Sequence, residues 1–246
     1  MKKSATIVQL KKEGRLILTE FESKKFLKQA GIPVIETRLA RTPKEAVLFS
    51  QKMGFPVALK ISSPEITHKT DSGGVRLSLN NMKEVKSAYH EITEGILKQH
   101  PNAAIQGVSV QKMAKPGTEV IVGTSKDPQF GPVIMFGLGG IFVEVLKDVS
   151  FRIIPLGRKD ALEMIEEIKG YPLLQGYRGK EPVDIPALTE IILKISGVMK
   201  ENPEIKELEL NPIMAYKKGA LAVDARIILE EKAVLRRAKR CFSDLS

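Results

Sequence analysis

The sequence predicts an α/β protein of two lobes, each a mixed sheet carrying helices. Helical and extended patterns alternate along the chain, which favours sheets with helices packed on them. A length of 246 residues suits one large domain or two small ones. The extended stretch "SVQKMAKPG" reads as a crossing, dividing an α/β lobe over residues 1–113 from an α+β lobe over 114–246.

The elements follow in order. "LTEFESKKFLKQAGIP" is a helix with Thr19 as N-cap and Glu22 three residues on, a capping-box pattern. Phe21, Phe26, Leu27 and Ala30 form its apolar face, and Gly31 and Pro33 stop it. "VIETRLA" is a strand. "TPKEAVLFSQKMG" is a helix capped by Thr42, with Pro43 in its first turn and Gly54 ending it. "PVALKIS" and "VRLSLN" are strands flanking a polar loop, residues 62–74, and a long helix over "LNNMKEVKSAYHEITEGILKQHP" follows.

"AIQGVSVQKMA" is extended, and "KPGTEVIVGTSKDPQFGPVIMFGLGG" gives two strands around "SKDPQFG" before a glycine-rich bend. Two helices, "KDALEMIEEIKG" and "IPALTEIILKISGVMKEN", precede two strands around a Lys-Gly turn in "IKELELNPIMAYKKGALAVDARIIL". A charged helix is expected over the last segment, and no repeat of 20 to 50 residues is visible.

Composition narrows the function classes. The apolar share of 43% is ordinary for a soluble protein, and no apolar run reaches the roughly 20 residues of a membrane span. The start lacks a sustained apolar segment, and the single cysteine, Cys241, excludes an internal disulfide, so a cytoplasmic protein is expected. A formal charge of +10 raises nucleic acid as a partner. The basic residues are scattered, however, with no aromatic-interleaved stripe, so neither nucleic acid nor membrane is expected; a nucleotide or an acidic partner accounts for the excess equally well.

The most informative stretch is "LKISSPEITHKTDSGGV", which holds His68, one of only three histidines. Lys60 stands at the end of the preceding strand, where a long cation can reach into a cleft. The loop then offers hydroxyls, Lys69 and Gly73-Gly74, a composition suited to phosphate, and a neutral imidazole among such groups can accept and donate a phosphoryl group. A surface turn with one incidental histidine also fits these residues.

A second constellation lies in the last hairpin. Asn211 in "ELELNP" and Asp224 in "AVDAR" come close if the two strands pair, and both present the hard oxygens that suit Mg²⁺. Glu209 shares the face of Asn211 and Arg226 that of Asp224, each two residues away. A structural hairpin with polar ends is the alternative. "FGLGGIFVEVLKDVSFR" offers a glycine turn followed by Glu144, Asp148 and Arg152, without a phosphate-binding glycine fingerprint; a bend alone accounts for it.

Several long stretches together resemble a known family. "EFESKKFLKQAGIPV", "GFPVALKISSPEITHKTD", "KPGTEVIVGTSKDPQFGPVIMFGLGGIFVEVLKDVSFR", "EIKGYPLL" and "LNPIMAYKKGALAVDARIIL" are similar to the β subunit of ADP-forming acetyl-CoA (acyl-CoA) synthetases, which are ATP-grasp proteins; the resemblance covers about residues 18–229. It implies an ATP-grasp fold with a nucleotide cleft between two lobes. It also implies a transient phosphohistidine at His68 that relays a phosphoryl group to ADP. Lys60 is then expected on the nucleotide phosphates, Gln111, Lys112 and Met113 against adenine, and Glu119 near the ribose. Asn211 and Asp224 are expected to hold Mg²⁺, with Arg226 at the nucleotide and Glu144, Arg152 and Glu209 as further candidates.

Nothing in the sequence resembles a CoA-binding half. The resemblance implies a CoA-binding α subunit, in an α2β2 assembly, with ATP/ADP and Mg²⁺ as the cofactors and the chain inactive alone. Two rivals are a succinyl-CoA-synthetase-type β subunit and a non-catalytic ATP-grasp regulatory module. In the first the phosphohistidine belongs to the α chain. The second is expected to lose some of His68, Lys60, Asn211 and Asp224.

Overall fold

The computed structural model describes residues 5–66, 69–140, 147–179 and 181–231. The charged terminal helix expected from the sequence lies outside the described residues, apart from its first residues. Two compact units emerge. One holds Ile35–Lys115 with Thr19–Glu22, and the other holds the described parts of Met1–Leu18, Ser23–Val34 and Pro116–Ser246. A single cut at 113/114 does not describe this division. The apolar side chains of the first 34 residues, among them Ile7, Leu10, Leu18, Phe26, Leu27 and Ile32, belong to the core of the C-terminal half.

The first unit is a four-stranded sheet in the order β1-β4-β2-β3, with β1 at Thr37–Ala40, β2 at Val57–Ser62, β3 at Val75–Leu79 and β4 at Gly107–Lys112. Helices α3 (Pro43–Met53) and α4 (Met82–Gln99) pack beside it. Thr42 caps α3 by accepting from the Glu45 amide at 3.1 Å, and Gly54 ends it at φ +78°. Asn81 caps α4 in the same way, accepting from the Lys83 and Glu84 amides. Val57, Leu59 and Ile61 alternate along β2 into a core with Val108, Val110, Val85, Ile92 and Ile96. The opposite face of the same two strands carries Lys60, Ser62, Ser109 and Gln111, all buried.

The second unit is a sheet ordered β10-β8-β5-β6-β7, with β9 also paired to β8. Its strands are β5 (Thr118–Asp127), β6 (Gly131–Leu138), β7 (Val149–Ile153), β8 (Ile205–Ala215), β9 (Ala220–Ala222) and β10 (Ala225–Leu229). Val120, Val122, Ile134, Phe136, Leu208 and Leu210 point into a core shared with α5 (Arg158–Glu166) and α7 (Ile185–Glu201). A short helix, α6 (Tyr171–Leu174), lies between them in sequence.

Helix α1 (Ala5–Lys12) and most of α2 (Glu20–Gln29) close this core, and the Leu18 amide donates to the Ile227 carbonyl at 3.1 Å. At the head of α2 the capping box forms as expected. The Thr19 amide donates to the Glu22 carboxylate at 2.8 Å, and the Glu22 amide returns to the Thr19 hydroxyl at 3.4 Å. No helix among the described residues is long and apolar enough to cross a membrane.

Candidate functional site

The first unit places Lys60 within β2, two residues before the strand ends at Ser62 rather than at its end, between Ser109 of β4 and Val75 of β3. A lysine there faces away from the apolar core, yet it is only 8% exposed. A buried ammonium needs an anion. Glu20, the first residue of α2, supplies it: Lys60 Nζ lies 2.8 Å from Oε1, and the carboxylate side chain is 3% exposed. The other carboxylate oxygen is 2.6 Å from Lys69 Nζ, so one buried anion holds two cations.

Gln111 lies on the same polar face, opposite Ala58 in the β2–β4 register. Lys112 ends β4 with an exposed side chain and an amide that donates to the Glu36 carbonyl at 3.2 Å. Met113 follows, half-buried, its amide donating to the Pro56 carbonyl at 3.3 Å.

The loop after β2 is tied on both sides. Ile66 is buried in the first unit's core. The Glu65 carboxylate accepts from the Ala104 amide at 2.6 Å. On the far side the Gly74 amide donates to the Lys69 carbonyl at 2.7 Å, and a side chain at Gly74 would meet Ile61 at 2.6 Å, so only glycine fits that return. His68 lies outside the described residues, as does Glu144.

In the second unit the predicted hairpin forms, with a break that matters. β8 pairs with β9 from Ile213↔Ala222 to Ala215↔Ala220 and with β10 from Ala225↔Leu210 onward. Asn211-Pro212, joined by a cis peptide, therefore face Val223-Asp224 where the ladder is interrupted, held by a 2.9 Å bond from the Val223 amide to the Pro212 carbonyl. Ladder pairing on either side aligns Asn211 with Asp224. The Asn211 amide nitrogen donates to Glu209 Oε1 at 3.1 Å, which leaves its carbonyl oxygen to act as a donor to a metal. Asp224 Oδ1 accepts from the Ala225 amide at 2.7 Å.

Arg226 stands opposite Glu209 in register, and both line an open depression on the sheet with Gly123, Met135 and Phe151. Among the described residues no cluster of three or more His, Cys, Asp or Glu could hold a metal. The set that fits a hard cation here is one amide oxygen with carboxylates.

Glu119 lies near the start of β5, exposed, its carbonyl accepting from the Gly139 amide at 2.7 Å. The glycine-rich bend is built around it: a Cβ at Gly139 would come 2.9 Å from the Glu119 Cβ. Arg152 is not brought to Arg226 and Glu209. It follows Phe151 on β7 and so points to the opposite face, where it pairs with Glu167 at 2.6 Å. Asp148 accepts from the Lys169 and Gly170 amides at 2.8 and 2.6 Å, a structural tie.

Burial raises the Tyr216 phenol, and burial followed by the Glu45 charge raises Tyr89; neither belongs to these constellations. Sequence reasoning missed Glu20. Its only local signal was an acidic residue opening a helix, the ordinary response to the helix dipole.

One antiparallel sheet carries a buried lysine and the other a hard-oxygen hairpin, and residues 9–229 match the model of a nucleotide-binding class of fold, the ATP-grasp domain. The chain belongs to the ATP-grasp family, among the β subunits of ADP-forming acetate–CoA ligases. It is 51% identical over 227 residues to the β subunit of acetate–CoA ligase [ADP-forming] I of Pyrococcus furiosus, spanning 92% of this chain and 98% of that one.

Its structure also resembles acetyl-coenzyme A synthetase 1 of Candidatus Korarchaeum cryptofilum, determined with coenzyme A, Ca-AMPCP and HgCl⁺. That match has a TM-score of 0.88 and 51% identity, and covers 91% of this chain and 98% of the other. A second structure of that enzyme, with coenzyme A and Mg-AMPPCP and its phosphohistidine segment pointing towards the nucleotide binding site, matches at a TM-score of 0.81 and 49% identity, covering 92% and 98%.

Proposed function

We propose that this chain is the nucleotide-binding β subunit of an ADP-forming acyl-CoA synthetase, catalysing with a CoA-binding α subunit the interconversion of acyl-CoA, ADP and phosphate with acid, CoA and ATP. The observation that carries the reading is agreement over nearly the full length of a β subunit, supported by a buried Lys60 on one sheet and by Asn211 aligned with Asp224 on the other.

Each residue then has a task. The His68 imidazole takes a phosphoryl group that the α subunit has made available, and passes it on. Its N–P bond breaks as a terminal oxygen of ADP forms the new O–P bond, returning a neutral ring. Lys60, held in place by Glu20, presents its ammonium to the nucleotide phosphates. Gln111, Lys112 and Met113 border the adenine, and Glu119 the ribose. Asn211 and Asp224 hold Mg²⁺, oriented by Glu209, while Arg226 braces phosphate oxygen. Bound Mg²⁺ neutralises charge that accumulates on the transferring phosphoryl group. The α2β2 assembly follows from the resemblance to subunits of that type.

The test is to incubate the chain, with and without its cognate α subunit, with labelled ATP and Mg²⁺. An acid-labile, base-stable label on His68 is expected in the complete enzyme, and none in His68→Asn. CoA release from acetyl-CoA with ADP and phosphate should require both chains. Equal labelling of His68→Asn, or robust turnover by the isolated chain, overturns the proposal.

A further inference from the structure

Glu119 carries a carboxylate that the fold places without binding it. The residue stands near the start of β5, exposed, and among the described residues its carboxylate takes part in no hydrogen bond or ion pair. Its neighbour across the sheet, Met214, offers only a thioether. Both carboxylate oxygens therefore remain open as acceptors.

What constrains this side chain is glycine backbone. The β5–β6 ladder ends at Val120↔Leu138, and the Gly139 amide continues it by donating to the Glu119 carbonyl at 2.7 Å. That bond draws the chain at Gly139 onto Glu119. A Cβ there would lie 2.9 Å from the Glu119 Cβ and 3.1 Å from its carbonyl carbon. Gly140 follows at φ +63°, a left-handed conformation that favours glycine, and a Cβ on it would come 3.4 Å from Glu119 Oε2. One glycine thus seats the root of the side chain, and the next seats its tip.

Glutamate is among the side chains that lose most rotamer freedom when ordered. Close packing on backbone removes part of that loss before a ligand arrives, and it leaves both oxygens unoccupied, as a hydrogen-bonded clamp would not. Such a carboxylate suits a ligand with two adjacent hydroxyl donors, one for each oxygen. A site organised around those donors discriminates sharply against an analogue that lacks one.

We propose that Gly139 and Gly140 are positioning residues that aim the Glu119 carboxylate at both ribose hydroxyls, and so set a preference for ribonucleotides over deoxyribonucleotides. This rests on the role given above to Glu119.

Equilibrium binding of Mg-ADP and of Mg-2′-deoxy-ADP to the full chain reads that preference without turnover. The wild type should favour ADP by about tenfold or more, the scale of a hydrogen bond to a charged group. Gly139→Ala should lose most of the preference by weakening ADP, with 2′-deoxy-ADP bound about as before. Glu119→Ala should do the same, and the double variant no more than either. Gly131→Ala is the control. It imposes a comparable left-handed strain, at φ +75°, where a Cβ meets nothing within 4 Å, and it should keep the wild-type preference.

Gly140→Ala carries the test should Gly139→Ala fail to fold, since that position is exposed, and it should reduce the preference several-fold. Wild-type preference in every Gly139 or Gly140 variant that folds, or an equal loss in Gly131→Ala, overturns the positioning role. An undiminished preference in Glu119→Ala, or a wild type that binds the two nucleotides alike, removes Glu119 from the ribose and overturns that reading as well.

Discussion

Asn211 and Glu209 stand two residues apart on one strand and are joined side chain to side chain, the asparagine amide nitrogen donating to the carboxylate at 3.1 Å. This bond decides which end of the amide is available as an oxygen donor. Glu209→Gln weakens the preference by replacing an acceptor-only group with one that also donates. We expect the Mg²⁺ concentration for half-maximal activity to rise several-fold, while the maximal rate at saturating Mg²⁺ changes less. A metal titration that superimposes on the wild type would remove Glu209 from the orienting role.

Asp224 contributes charge directly. Asp224→Asn keeps the shape and deletes one anionic ligand, so Mg-nucleotide affinity or turnover should fall at least about tenfold, equivalent to about 1.4 kcal/mol. Calorimetry with Mg-ADP, repeated without metal, checks this: the loss should appear only in the presence of Mg²⁺. Unchanged activity at limiting Mg²⁺ would sink the assignment.

Lys60→Met removes the buried ammonium and keeps most of its apolar stem. Nucleotide affinity should drop by about tenfold or more, the scale of a lost charge-assisted contact. Binding measured with ADP and with adenosine separates the causes. A lysine on the phosphates affects ADP alone, whereas a general loss of fold would reduce both.

Gly107 opens β4 at φ +145°, where a Cβ would lie 2.4 Å from the Ala40 carbonyl oxygen. That oxygen belongs to the backbone of the neighbouring strand and cannot rotate aside. Gly107→Ala should therefore destabilise the first unit by about 1–3 kcal/mol, the range of an overpacked site. Thermal unfolding followed by hydrogen exchange should locate the loss in residues 35–115. An unaltered melting profile would contradict the geometry.

Much of this was visible in the sequence where the signal is local. Thr19 with Glu22, and Thr42 with Pro43, announce helix starts because capping needs only residues three apart. The hairpin that aligns Asn211 with Asp224 was legible from its turn. β7 was not, because its pattern is inverted: Ser150 faces the core, donating to the Met164 carbonyl, while Phe151 and Ile153 point outward. α1 escaped because its face shows little beyond Ile7 and Leu10, and the partners that bury them are distant in sequence. The division of the chain escaped for the same reason. Glu20 is 40 residues from Lys60 and 49 from Lys69, so no spacing rule could join them.

The pairing of Leu18 with Ile227, and of Leu229 with Leu16, has a consequence for how the protein comes off the ribosome. The strands and helices of the first unit, residues 35–115, can assemble as soon as they emerge. Helix α1 cannot be sealed until β10, more than 200 residues later, is released, so its apolar side chains wait while the intervening chain is made. Contacts this far apart in sequence are slow to form and leave nascent surface open to chaperones and to association. Stalled chains ending before Ala225 should be cleaved readily by protease within residues 5–18 yet resist it within 35–115, and chains extended well past Leu229 should resist it in both. Equal protection of residues 5–18 at both lengths would show that the helix finds its place without the final strand.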